Sequence, residues 1–232
     1  DLRVLAVAYF FFVAAVMVLA GKGAPLIAIA FGGTAFAAAL VTQRLAATAL
    51  AAVIALGVLA VPLMTKAIPP IDEVVRSAPG LQRSAFVRLY IWRTAGIHID
   101  EKWLLGHGMD TSRALYDADD RTQRIYYDQE GRPVWYTGQE PIPLHPHNAA
   151  VQLWLELGVV GAAALALVLV TAVRAVAASA AARTDKAVWL AVFVTGFTIA
   201  SLSYGIWQGW WLGALWLAAG FAVAAARPRL PT

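Results

Sequence analysis

The sequence predicts an all-α integral membrane protein with six transmembrane helices and one large external loop that contains short amphipathic helices. Three observations predict this class. Of the 232 residues, 60% are hydrophobic and 14% are charged, which lies outside the usual range of soluble globular proteins. The apolar residues come in blocks of about 18–25 residues, the length of a helix that crosses roughly 30 Å of hydrocarbon. Outside the polar segment 65–146, the basic residues lie at the ends of these blocks.

The apolar blocks divide the chain into three parts. Residues 1–64 hold three transmembrane helices, residues 65–146 form the external loop, and residues 147–232 hold three more helices. The chain enters its first apolar block without the pattern of a signal peptide, so we expect it to be a segment of a longer protein. The predicted helices span residues 2–20, 25–41, 45–64, 148–173, 187–202 and 207–226.

The cations at the helix ends predict the orientation. If the chain crosses the membrane six times, seven of these cations lie on the same side. The positive-inside rule makes that side cytoplasmic. The loop then lies outside, in the periplasm of a Gram-negative cell. Lys22, between the first and second helices, falls on the external side with the loop. The seven cytoplasmic cations are Arg3, Arg44, Arg174, Arg183, Lys186, Arg227 and Arg229.

The external loop is too long to be a simple connection, so we expect it to hold a site. Residues 80–99 predict an amphipathic helix, because apolar or small residues recur on one face at helical spacing. A short hairpin is predicted around Glu130-Gly131. The predicted apolar face consists of Ala85, Leu89, Trp92 and Gly96.

The fourth predicted helix begins with a polar stripe. Asn148 is a plausible N-cap, which places His147 at the external membrane surface. Asn148, Gln152 and Glu156 recur every four residues, and a carboxylate inside a membrane is costly unless it faces protein, a partner or water. Two interpretations stay open: the stripe orients a catalytic histidine, or it joins helices and caps one of them.

The histidines do not form a metal-binding motif in the sequence. His145 and His147 would need at least one further ligand to hold a catalytic zinc ion. His98 and His107 are candidates, but no recognised ligand spacing joins them. We therefore expect no metal and no cofactor.

Arg88 is the second candidate for a functional residue. Arginine presents a planar fork of donors that matches phosphate oxygens bidentately. An arginine on an interfacial helix also binds lipid head groups or extends to the interface without further function. The sequence alone favours this structural interpretation.

Several short runs, taken together, resemble the O-antigen ligase family. They lie in the same order and on one side of the predicted membrane, and they cover nearly the whole chain. The most specific is His147-Asn148 with Glu156 and Gly158 downstream. Lys22 stands where the family has arginine in a Ser-Arg-Gly element. The runs are residues 21–23, 88–92, 103–108, 147–158 and 204–208.

The resemblance implies a GT-C-like membrane glycosyltransferase, of which this chain matches the C-terminal half. Its expected location is the bacterial inner membrane, with the large loop in the periplasm. It implies transfer of a polysaccharide from an undecaprenyl-diphosphate carrier to an acceptor sugar, typically of the lipid A core. The implied partners are the lipid-linked oligosaccharide donor, a lipid A-core or other glycan acceptor and the phospholipid bilayer, without nucleic acid.

The same resemblance implies roles for individual residues. His147 is the expected base, and direct attack on the anomeric carbon inverts its configuration without a metal or nucleotide. Arg88 and Lys22 are the expected diphosphate clamp, although lysine lacks the bidentate fork. The expected supporting residues are His145, Asn148, Gln152 and Glu156.

Three alternative functions stay open. An O-antigen polymerase and a protein O-oligosaccharyltransferase use the same donor, and the sequence does not identify the acceptor. A flippase or transporter of lipid-linked glycans would line its helices with cations, whereas here the charge gathers in the loop. A purely structural membrane scaffold would leave the loop motifs unexplained.

Overall fold

The computed structural model describes residues 12, 14–19, 21, 23–78, 80–115, 124–127, 133–136, 142 and 144–226. The first predicted helix, residues 2–20, lies mostly outside this part, and its residues 14–19 are helical. The further elements are α1 (Gly23–Leu59), α2 (Val61–Lys66), α3 (Ile71–Ser77), α4 (Arg83–Glu101), a 3-10 turn (Ser112–Ala114), β1 (Arg124–Tyr127), β2 (Pro133–Tyr136), α5 (Ala149–Ala178), α6 (Arg183–Leu202) and α7 (Gly209–Ala224).

Three of these helices are long and apolar enough to cross a membrane. They are α1, α5 and α6, with 37, 30 and 20 residues. The helix α7 is also apolar but has 16 residues, fewer than a straight span needs. The structure thus confirms a predominantly helical membrane protein, whereas the predicted count of six spans stays a prediction.

The helix α1 contains a break between two predicted helices. Its backbone leaves helical geometry at Thr42, with φ −136° and ψ 63°. This residue lies between the predicted helices at 25–41 and 45–64, so two separate segments are correct. The second of them is itself divided, because α1 ends at Leu59 and α2 begins two residues later with Pro62 in its first turn.

One compact unit combines residues 1–51, 171–203 and 209–232. Within it, α6 runs antiparallel to the first half of α1. The guanidinium of Arg183 donates to the Leu40 carbonyl at 3.1 Å, and the Thr195 hydroxyl donates to the Ala28 carbonyl at 3.4 Å. Gly32 lies directly against the Thr195 side chain. Such small residues let membrane helices approach closely.

The second compact unit combines residues 52–170 and 204–208. It contains α2, α3, α4, the loop segments and the first part of α5. The indole of Trp154 on α5 donates to the Val58 carbonyl of α1 at 2.7 Å. Side chains at most 1% exposed form its core, including those of Ile54, Ile91 and Leu155. All the candidate site residues that the structure describes belong to this unit.

The helix α4 confirms the amphipathic helix predicted at residues 80–99, but its buried face differs from the predicted one. Ile91, Ala95 and Ile99 are at most 1% exposed. Of the predicted face, Gly96 is buried against Thr65, whereas Ala85, Leu89 and Trp92 are half-buried. The true stripe is rotated by about one residue, because β-branched isoleucines fill the core in place of the larger Trp92.

The hairpin predicted around Glu130-Gly131 is present. Strands β1 and β2 pair antiparallel, with Arg124 opposite Tyr136 and Tyr127 opposite Pro133. The predicted turn lies between the two strands and outside the described residues. The segment 65–146 therefore contains both helices and one small sheet among its described residues.

Candidate active site

The helix α5 begins at an asparagine cap. The Asn148 side-chain oxygen accepts the backbone N–H groups of Ala150 at 3.0 Å and Val151 at 3.1 Å. These are two of the donors that the first turn of a helix leaves unpaired. The cap confirms the predicted start of this helix and fixes His147 immediately outside it.

His145 and His147 form a tight turn before this cap. The backbone N–H of His147 donates to His145 Nδ1 at 3.1 Å, and the two ring centroids lie 4.4 Å apart. His145 is buried and packs on Gly205, where an added Cβ would lie 2.9 Å from its Cγ. Burial, together with the neighbouring His147, lowers the pKa of His145 to about 4. His145 is therefore neutral at pH 7, with its proton on Nε2.

His147 has a left-handed backbone. Its φ is +56°, a region that residues other than glycine rarely occupy. Such a conformation costs of order 1–3 kcal/mol and persists only where surrounding structure holds it. Here the cap at Asn148 and the bond to His145 hold it. The turn keeps the half-buried imidazole of His147 outside the first turn of α5.

Glu156 is a fully buried carboxylate with five hydrogen bonds from the described residues. Its oxygens accept Asp110 N at 2.9 Å, Ser112 N at 3.4 Å, Ser112 Oγ at 2.5 Å, Gln152 Nε2 at 3.1 Å and Trp207 Nε1 at 2.5 Å. None of these donors is a cation. Several neutral donors thus stabilise a carboxylate that would otherwise be costly to bury.

Gln152 connects this carboxylate to the segment 204–208. Its amide nitrogen donates to Glu156, and its amide oxygen accepts Ile206 N at 2.9 Å. In the same segment, the Trp207 indole donates a hydrogen bond to Glu156, and Gly205 packs against the ring of His145. The hydrogen bonds of Gln152 and Glu156 do not run to His147.

We expect Glu156→Gln to lower the free energy of unfolding by about 1–3 kcal/mol. The glutamine amide nitrogen is a donor, whereas the carboxylate oxygen that it replaces accepts hydrogen bonds. At least one of the groups that now donate to Glu156 would therefore face another donor. Glu73→Gln, at an exposed carboxylate of α3, is the matched control and should change stability by less than about 0.5 kcal/mol. Chemical unfolding of the purified protein in detergent checks both, and equal stability of the two variants would contradict the prediction.

Gly106 packs on the backbone of α5 at Glu156 and Leu157, and Gly158 packs on the backbone of the loop at Leu104 and Leu105. A Cβ added at Gly106 would lie 2.3 Å from the Glu156 carbonyl carbon, and one at Gly158 would lie 2.4 Å from the Leu104 carbonyl carbon. Both glycines also have positive φ, +69° and +61°. Only residues without a side chain allow this crossing of the loop and α5.

The crossing replaces hydrogen bonds that α5 loses at Gly158. With φ 61° and ψ −157°, this glycine interrupts the helix. The carbonyl of Leu155 then accepts His107 N at 2.9 Å, that of Glu156 accepts Gly108 N at 2.8 Å, and Val159 N donates to the Trp103 carbonyl at 2.8 Å. The loop 103–112 is thus bound to α5 by backbone hydrogen bonds, and its residues Asp110 and Ser112 donate to the Glu156 side chain.

Arg88 lies on α4 with one donor unsatisfied. Its Nη1 donates to the Ser84 carbonyl at 3.2 Å, whereas its Nε is buried and has no partner among the residues that the structure describes. Burial lowers the pKa of the guanidinium, which nevertheless stays charged at pH 7. One turn further along α4, Trp92 Nε1 donates to the Pro146 carbonyl at 2.9 Å. This bond fixes the helix that carries Arg88 to the His145–His147 turn.

The structure brings most of the predicted site residues together. His145, His147 and Asn148 share one turn, and Gln152 and Glu156 form a network below it. Lys22 lies outside the described residues. Sequence reasoning missed Asp110, Ser112 and Trp207 as donors to Glu156, because they lie 44 to 51 residues away in the chain.

Comparison with protein families shows which family the chain resembles. Residues 8–166 match the family described as O-antigen ligase. The chain belongs to the O-antigen ligase family. The matched region includes Arg88, His147 and the Gly106–Gly158 crossing, whereas Trp207 lies beyond it. Membership confirms the family that the sequence motifs predicted.

The relatives of this O-antigen ligase-family chain carry related names. Proteins named "Putative polysaccharide ligase" from Rickettsia conorii and Rickettsia felis are 34% and 33% identical over 162 residues. One from Rickettsia typhi is 31% identical over 164 residues. Each match covers 69% of this chain and 37% of the relative, so the chain spans little more than a third of their length. No solved structure is significantly similar to the chain.

Proposed function

We propose that this chain carries the catalytic centre of a glycosyltransferase that moves a polysaccharide from an undecaprenyl-diphosphate carrier to an acceptor sugar hydroxyl of the lipid A core. One observation carries the proposal: Trp92 joins the strained turn of His147 to the helix that bears the unsatisfied Arg88. A base and a phosphate ligand are the two groups that this reaction requires of the protein.

His147 acts as the general base. Its imidazole takes the proton of the acceptor hydroxyl as that oxygen attacks the anomeric carbon of the donor. The bond between the anomeric carbon and the diphosphate oxygen breaks, and its electron pair leaves with the diphosphate. Attack on the opposite face inverts the anomeric configuration. Histidine is the side chain suited to accept a proton in this way under neutral conditions.

Arg88 stabilises the charge that grows on the leaving diphosphate. A buried donor without a partner costs about 1–3 kcal/mol, and a phosphate oxygen at the Nε would remove that cost. A fixed cation in a partly dry site is most effective where charge develops in the transition state. Lys22 is the proposed second cation of this clamp, acting as a point charge.

His145 and the Glu156 network hold the site together without reacting. His145 is neutral and accepts the His147 backbone N–H, so it shapes the turn. Glu156 and Gln152 anchor the loop 103–112 and the segment 204–208. Asn148 caps the helix beneath the base. These four are positioning residues in the proposed reaction.

The proposed membrane arrangement has six spans and places the site at the outer surface of the bacterial inner membrane. Three helices support spans by length and hydropathy, and His147 lies at the start of α5. The cations at the opposite helix ends support a cytoplasmic location for those ends. The chain then forms the C-terminal half of the enzyme, with the large loop in the periplasm.

We expect Arg88→Ala to lower kcat/KM for the lipid-linked donor by about 100-fold or more, because it removes a transition-state charge contact. Arg88→Lys should recover part of the rate, since lysine keeps the charge but not the fork of donors. Lys102→Ala removes an exposed cation from the same unit and is the control. Transfer by the intact protein in proteoliposomes measures all three. Equal rates for Arg88→Ala and wild type would rule out the proposed clamp.

The acceptor is tested with the same purified system. Undecaprenyl-diphosphate-linked glycan is offered together with lipid A-core, a glycan chain or a protein acceptor. Covalent product on lipid A-core supports the ligase, whereas product on the glycan or on the protein assigns the polymerase or the protein-glycosylating activity instead. Movement of the donor across the bilayer without any covalent product would favour a transporter and overturn the proposal.

A further inference from the structure

Three potential metal ligands meet at the end of α4. His98 and Glu101 lie one turn apart on this helix, and His107 lies in the loop that follows. His98 Nδ1 is 3.1 Å and His107 Nε2 is 3.9 Å from Glu101 Oε2. One ligand atom from each residue lies within 4.8 Å of the other two. The spacing of the histidines along the sequence did not predict this cluster, because its third member is a carboxylate, Glu101, that lies close to both imidazoles.

We propose that His98, Glu101 and His107 bind a divalent zinc-type ion. Two imidazole nitrogens and one carboxylate oxygen suit zinc, whereas magnesium and calcium prefer sites made of oxygen alone. Three such protein ligands with water in the fourth position are a common zinc arrangement. The residues His145 and His147 offer a weaker site, because His145 Nδ1 already accepts a backbone N–H.

The hydrogen bonds of the cluster show what binding requires. His107 Nε2 donates to the His98 carbonyl at 2.8 Å, and His98 Nδ1 donates to Glu101 at 3.1 Å. For either imidazole to ligate the ion through the nitrogen that now donates, the proton has to lie on the other ring nitrogen. Around an ion about 2.0–2.1 Å from each ligand atom, these atoms lie roughly 3.3 Å apart, so His107 Nε2 has to come closer to Glu101 Oε2 than its present 3.9 Å.

The ion would fasten the loop that organises the buried carboxylate. His107 is nearly buried by its side chain, and its backbone N–H donates to the Leu155 carbonyl of α5. A zinc ion on His107 therefore ties the last turn of α4 to the loop whose residues contact Gly158 and Glu156. This role is structural, and it needs no metal in the transfer reaction.

Zinc binding to the intact protein in detergent, purified without a histidine tag and stripped with a chelator, tests the inference. We expect one zinc ion per chain by calorimetry and elemental analysis. His98→Gln and His107→Gln should each weaken binding by at least about tenfold, since even outer-shell substitutions cost roughly 10–100-fold. Glu101→Gln should also weaken it, and this exposed position should not impair folding. His147→Gln is the matched histidine control and should bind as wild type does.

Cobalt provides a second readout that does not depend on transfer activity. Visible absorption of bound Co²⁺ should appear in wild type and disappear in Glu101→Gln. Absence of stoichiometric zinc binding by wild type would overturn the inference. So would equal affinity in the three ligand variants, or loss of zinc in His147→Gln alone.

Discussion

His147→Ala is expected to lower the rate of glycan transfer by at least about 100-fold while the protein stays folded, because it removes the proposed general base. His147 precedes the first turn of α5, and the hydrogen bond from its backbone N–H to His145 Nδ1 does not depend on the imidazole. The loss should therefore appear in kcat, with little change in the binding of the donor. The effect is among the largest expected for a single side chain of this site.

A second substitution separates the loss of the base from strain in the turn. Residue 147 has positive φ, which asparagine tolerates better than alanine. His147→Asn should be as inactive as His147→Ala yet more stable. If His147→Asn were active, the turn rather than the imidazole would be the essential feature.

The cellular measurement is a gel of lipopolysaccharide from cells that lack the full-length gene. Wild type should restore the high-molecular-weight ladder, and His147→Ala, present in the membrane at the same level, should not. A full ladder with His147→Ala would contradict its role as base. An intact ladder in the deleted cells would exclude the lipid A core as acceptor and direct attention to another surface glycan or to a glycosylated protein.

Gly158→Ala is expected to destabilise the protein by more than about 3 kcal/mol. A Cβ at this position would lie 2.4 Å from both the carbonyl carbon and oxygen of Leu104, which are backbone atoms that cannot rotate away. The backbone at φ 61° and ψ −157° is also in a region that is essentially restricted to glycine. The loop therefore has to detach from α5, which exposes the donors that it supplies to Glu156.

Gly57→Ala is the matched control for this prediction. Gly57 lies in the helix α1, and nothing lies within 4 Å of an added Cβ there. Alanine should therefore stabilise the protein by about 0.5–1 kcal/mol, since it restricts the unfolded chain. Opposite signs for the two glycines, measured by unfolding in detergent, would support the crossing. Stability of Gly158→Ala equal to that of wild type would disprove it.

Local features of the fold could be predicted well. The apolar blocks predicted the candidate spans, and Asn148 predicted the start of α5. The Glu130-Gly131 turn predicted the hairpin. Each depends on hydropathy or on hydrogen bonds between near neighbours. The apolar face of α4 was predicted one residue out of place, because packing against other helices decides which side chains fill the core.

The sequence by itself determined the membrane class, the family motifs and the candidates Arg88 and His147, since composition, capping and short motifs are local properties. Only the tertiary structure decided what the other polar residues do. Glu156 accepts hydrogen bonds from distant parts of the chain, and Gly106 packs on the backbone of α5 at Glu156. Such contacts depend on how elements fold back on one another, which no spacing along the chain records.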